Sequence, residues 1–80
     1  MQKRSLVKLF TPGTQNHHIV KLILDCEYIY NYQMPKIGIL NYTRRISEIR
    51  IELRKEGFDI IAERIENTGT YIYKIVKVKI

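Results

Sequence analysis

Apolar side chains recur at spacings of four, three and four residues through Tyr42, Ile46, Ile49 and Leu53. At 100° per residue these four fall within about 60° of one another, which predicts an amphipathic helix over 41–56. Gly57 follows, and a glycine is the residue best able to end a helix in the left-handed conformation. Upstream, Ile19, Val20, Leu22, Ile23 and Leu24 supply a buried side for a helix at 15–25. The Thr14 hydroxyl can cap it, after a turn at Thr11-Pro12-Gly13. The aromatic run Cys26-Glu27-Tyr28-Ile29-Tyr30-Asn31-Tyr32 suits a short strand or loop better than a helix. A short helix at 33–37 follows, with Pro35 in its first turn, where the missing amide hydrogen costs nothing.

The C-terminal third changes period. Residues 59–66 and 70–80 read as two strands joined by a hairpin turn at Asn67-Thr68-Gly69. The last five residues alternate cleanly, with Val76, Val78 and Ile80 on one face and Lys77 and Lys79 on the other. Carried backwards, the alternation puts Ile72 and Lys74 with the valines, and Tyr71, Tyr73 and Ile75 with the lysines. A bulge near Lys74 and Ile75 would restore a clean apolar face. Three helices followed by a C-terminal β-hairpin wing make an α+β domain on a winged helix-turn-helix plan. The expected domain spans 14–80, preceded by a basic N-terminal arm over 1–13 with a short extended piece at Leu6–Phe10.

Composition narrows the class. Eighty residues with 45% hydrophobic and 28% charged side chains fit one folded domain with one core. Fourteen basic residues against eight acidic give a net charge of +6. That charge is segregated: residues 1–47 carry +5, residues 48–66 carry −2 and residues 67–80 carry +3. An excess of this kind points to a polyanionic partner if the fold brings the basic segments together. One cysteine, Cys26, excludes an intrachain disulfide and suits a reducing, cytoplasmic setting. Lys8 and the turn at 11–13 interrupt the first apolar run, so it does not form a signal-peptide core. No stretch reaches the roughly 18 apolar residues of a membrane span.

Two runs carry a resemblance. Ile37-Gly38-Ile39-Leu40-Asn41-Tyr42-Thr43-Arg44-Arg45-Ile46-Ser47-Glu48-Ile49 resembles the turn and recognition helix of small helix-turn-helix domains of winged-helix type, common in bacteriophages and other mobile elements. Ile49-Arg50-Ile51-Glu52-Leu53-Arg54-Lys55-Glu56-Gly57-Phe58-Asp59-Ile60 is similar to that family's passage from recognition helix into wing. The resemblance covers about residues 15–78. It implies binding to double-stranded DNA, with helix 41–56 in the major groove and the hairpin on the backbone. By position it assigns Thr43, Arg44, Ser47 and Arg54 to the reading helix. A role in transcription regulation is the associated expectation.

The helical wheel offers the same residues independently. Ser47, Ile51, Arg44 and Lys55 lie at about 140°, 180°, 200° and 220°, opposite the apolar stripe, with Thr43 and Arg54 at about 100° and 120°. Arginine can donate two hydrogen bonds to guanine, and serine or threonine can bond several base edges. Early turns enter the groove first, which favours Thr43 and Arg44. The competing reading of Arg44 is a solvated side chain pairing with Glu48. Arg45, nearer the core, suits a pair with Glu48 or Glu52. Lys77 and Lys79 can lie along phosphates, with Lys74 a weaker member and Tyr71 and Tyr73 nearer the tip. Lysines guarding an exposed sheet edge are the alternative. Lys3 and Arg4, with Lys8, form either a DNA-contacting arm or a disordered basic end. Ile51 fits a thymine methyl, a dimer contact or a shift in helix register.

Catalysis finds little footing. His17 and His18 have no apparent relation to Cys26, and the three lack zinc-site spacing. No glycine-rich phosphate loop is present, and neither a cofactor nor a metal is expected. The partner expected is double-stranded DNA, with no membrane. RNA binding stays open, as does an adaptor role toward a second copy or a phage or plasmid protein through Tyr28, Tyr30, Tyr32 and Ile51.

Overall fold

A computed structural model describes residues 2–78 of the chain. Seven residues, Lys3–Leu9, form a 3₁₀ helix where a short extended piece was expected. Its Leu6 is fully buried, and Phe10 beyond it joins the same core. Helix α1 covers Gln15–Cys26. Its cap is the one expected, the Thr14 hydroxyl accepting the His17 amide at 3.2 Å. A two-residue strand β1, Ile29–Tyr30, leads to the short helix α2, Gln33–Lys36. Helix α3 runs Tyr42–Lys55 and buries Ile46, Ile49 and Leu53, three of the four stripe positions. Tyr42, the fourth, packs partly buried against the core. Gly57 ends the helix region with φ +82°, the conformation a side chain resists.

Strands β2, Phe58–Arg64, and β3, Tyr71–Lys77, pair antiparallel across a loop at 65–70. The loop closes when the Ile65 amide donates to Thr70 at 2.9 Å and Thr68 donates to Ile65 at 3.2 Å. Left-handed Asn67 turns the chain. Strand β1 adds to the other side of β3, giving the sheet order β1-β3-β2. Asn31 extends that pairing: its amide donates to Tyr71 and its side-chain oxygen accepts the Tyr71 amide. The result is a three-helix, three-stranded α+β domain of coarse winged-helix topology.

The register of β3 differs from expectation. Pairing runs without interruption from Phe58↔Lys77 to Arg64↔Tyr71, so no bulge intervenes. Ile75 is the residue that enters the core, and Val76 lies on the outer face, half-buried. The core-side face therefore carries the pairs Phe58/Lys77, Ile60/Ile75, Ala62/Tyr73 and Arg64/Tyr71. The outer face carries Asp59/Val76, Ile61/Lys74 and Glu63/Ile72. One core made of Leu6, Phe10, α1, Met34, Ile39, α3 and the inward face of the sheet holds the domain together.

Candidate nucleic-acid interface

Helix α3 is fixed from both sides. Arg45 donates to Glu48 at 3.1 Å and to Gln15 of α1 at 3.2 Å, which ties the start of α3 to α1. Tyr42 meets Tyr73 of β3 edge-on, with ring centroids 6.3 Å apart. Further along, Arg50 and Arg54 both reach Asp59 of β2. Strand β2 thus runs back along α3, and the hairpin loop lies at the end where α3 begins.

At that end Thr43, Arg44 and Ser47 face solvent. The Ser47 hydroxyl donates to the Thr43 carbonyl one turn back at 3.1 Å. Among the described residues, Arg44 has no carboxylate within 4.0 Å, and Glu48 is taken by Arg45 instead. The arginine–Glu48 pair expected as an alternative for Arg44 thus falls to its neighbour. Ile51 shares this surface and is 61% exposed, and Leu40, just ahead of the helix, is 69% exposed.

Arg54 is placed differently from the other three base-reading candidates. Its Nε and Nη2 donate to Asp59 Oδ2 at 3.2 and 3.1 Å. Arg50 donates through Nε to Oδ1 at 2.9 Å and through Nη2 to Oδ2 at 3.3 Å. The Asp59 side chain is only 13% exposed, and its Oδ1 also accepts the Ile60 amide at 2.8 Å. Burial pushes its carboxyl group up. The hydrogen bonds from Arg50, the Ile60 amide and Arg54, with the Arg50 charge, outweigh that and hold it below the usual carboxylate value. The Asp59 hydrogen bond correspondingly raises Arg50.

The hairpin does not gather its expected backbone contacts on one surface. Tyr71 is exposed near the loop, opposite Arg64. Tyr73 is half-buried against Tyr42, and burial first, then the neighbouring Tyr42 and Tyr71, raises its phenol. Lys74 lies on the outer face and pairs with Glu63 at 2.6 Å. Lys77 is exposed at the opposite end from the loop, six residues from Tyr71, or roughly 20 Å along the strand. Lys79 lies outside the described residues. Lys3 and Arg4 are exposed at the start of the 3₁₀ helix, where Arg4 approaches Asp25 at 3.9 Å.

Periodicity gives no part to Arg50, whose partner is nine residues away across a turn, or to Arg64, which precedes the hairpin loop without a basic neighbour. Arg64 is exposed and donates to the Thr68 carbonyl at 3.4 Å. The tyrosines form a separate feature at the β1 edge. Tyr28 meets Tyr30 edge-on at 5.5 Å, Tyr30 stacks on Tyr32 at 5.1 Å, and Lys36 sits 5.2 Å above Tyr32. Since β1 and β2 are opposite edges of the sheet and α3 packs along β2, the tyrosines and Ile51 do not form one contact surface. No helix among the described residues is long and apolar enough to cross a membrane. No three metal-ligating side chains gather among them either.

This arrangement defines a small winged-helix-type α+β domain, a fold compatible with nucleic-acid binding. No family model, curated protein or solved structure matches the chain.

Proposed function

We propose that the protein binds double-stranded DNA, with α3 in the major groove and the hairpin against the backbone. The observation that carries this reading is the solvent face at the start of α3. There Thr43, Arg44 and Ser47 stand together, and the Arg44 guanidinium has no carboxylate partner among the described residues. An arginine in that state keeps both faces of its donor fork for guanine O6 and N7, and the hydroxyls can bond base edges or phosphate. Arg64 and Tyr71 flank this end from the hairpin and supply backbone contacts. The resemblance of residues 37–60 to small phage and mobile-element helix-turn-helix domains supports a role as a regulator or architectural factor of such an element.

A salt titration against duplex DNA, single-stranded DNA and duplex RNA tests the proposal. Duplex DNA should bind most tightly, with affinity falling steeply as salt rises. Equal, weak binding to all three would overturn it. A second reading has its own observation, the Tyr30–Tyr32 stack with Tyr28 edge-on beside it, Tyr28 and Tyr32 being exposed. An adaptor using that stack would show salt-insensitive DNA binding no stronger than background. It would also bind a protein partner saturably, and replacing Tyr32 would abolish that binding.

A further inference from the structure

The geometry points to Arg50 and Arg54, gathered on Asp59, as a phosphate clamp that seats one backbone strand of duplex DNA between α3 and the hairpin. The inference rests on the duplex-DNA reading above and assigns Arg54 a different part from the base reading expected of it. Two guanidinium groups share one carboxylate, so the cluster keeps a surplus of one positive charge. Asp59 is nearly buried, whereas the Arg50 and Arg54 side chains are 42% and 60% exposed. Their outward N–H groups therefore face solvent while their inward ones are fixed.

Asp59 lies on the outer face of β2, an edge strand, and the arginines of α3 reach it past that open edge. The cluster consequently bridges the helix and the hairpin. Asp59 sits at the base of the hairpin, away from its loop, so the cluster faces the phosphate strand that borders the later turns of α3 when the helix lies along the major groove. Fixing two guanidinium groups in advance lowers the side-chain entropy lost when a phosphate binds. Nε and one Nη2 hydrogen of Arg54 are committed to Asp59, which leaves its end-on Nη1/Nη2 edge free to donate to a phosphate.

The test uses the whole chain and two labelled 25-base-pair duplexes, one of random sequence and one enriched by selection with the wild-type protein. Affinity is measured from low to moderate salt for wild type, Arg54→Gln, Arg54→Lys and Arg44→Gln. Losing one phosphate contact should reduce the slope of log affinity against log salt by about 0.9 in Arg54→Gln. Affinity for both duplexes should fall by the same factor. Arg54→Lys should retain most of the slope, because its charge remains. Arg44→Gln should instead narrow the preference for the selected duplex. Arg50 stays on Asp59 in the Arg54 variants, so the junction keeps an ion pair, and an unchanged circular dichroism spectrum verifies the fold. An unchanged slope in Arg54→Gln, or a loss confined to the selected duplex, would overturn the clamp. Absence of salt-dependent duplex binding by wild type would overturn the DNA reading itself and the clamp with it.

Discussion

The first two turns of α3 and the last two both carry arginines, yet they hold them differently. Arg44 ends in solvent with no carboxylate partner among the described residues. Arg50 and Arg54 end on a partly buried aspartate that belongs to another element. The difference comes from the second element. Strand β2 brings Asp59 beside the later turns, while the loop beyond Arg64 contributes no carboxylate to Arg44. An arginine tied to Asp59 serves the fold as well as any ligand, and one in open solvent serves only a ligand. Exchange of these residues should therefore separate stability from binding.

The largest effect is expected at the tied end. Asp59→Ala removes charge-assisted bonds from two arginines and a bond to the Ile60 amide, each charged bond being worth about 1.5–3 kcal/mol when intact. Water can rehydrate the exposed guanidinium groups, which recovers part of that. A loss of about 2 kcal/mol is expected, read from the urea midpoint and the slope of the unfolding curve. A change below about 0.5 kcal/mol, the range of ordinary surface substitutions, would erase the contrast between the two ends.

Acid should produce a smaller version of the same loss, since protonation removes the charge but leaves one acceptor oxygen. The folded-state carboxyl of Asp59 is held below its ordinary value. Its contribution is therefore complete above the unfolded value near 3.9 and is lost as pH falls through the lower folded value. Wild type should lose stability more steeply below about pH 4 than Asp59→Ala does. Urea midpoints at a series of pH values measure this. Parallel curves for the two proteins would mean that Asp59 titrates alike folded and unfolded.

The two ends were also unequally legible in the sequence. The buried stripe of α3 was plain because Tyr42, Ile46, Ile49 and Leu53 return to one face with few apolar competitors. The exposed end followed from it, since Thr43, Arg44 and Ser47 are simply what lies away from that stripe. The tied end depends on Asp59 meeting Arg50 and Arg54 across Gly57, which helical periodicity does not encode. The inward face of β3 was misread for a related reason. Apolar side chains occupy both faces of this small sheet: Ile72 and Val76 are half-buried on the outer face, along an open groove of about 570 Å³ shared with Tyr28, Tyr30 and Ile65. Alternation then marks two faces without saying which is inside. Ile75, flanked by Lys74 and Val76, is the residue that decides it, and only pairing with Ile60 reveals that.

The smallest effect on stability is expected at the open end, and it gives the sharpest form of the comparison. Arg44→Ala deletes a solvent-facing side chain without a carboxylate partner among the described residues, so unfolding should shift by no more than about 0.5 kcal/mol. Alanine also has the best intrinsic helix propensity, which leaves little reason for the helix itself to weaken. If Arg44 reads a guanine, the same change should cost about 1–3 kcal/mol of discrimination between the selected duplex and one altered at the contacted base pair. The two measurements together matter more than either alone. A stable variant that has lost discrimination places Arg44 in the interface. A stable variant that keeps it assigns Arg44 to solvent and moves the reading surface to Thr43 and Ser47. A destabilised variant would show that Arg44 is held by contacts as Arg50 and Arg54 are, and the contrast between the two ends of α3 would fail.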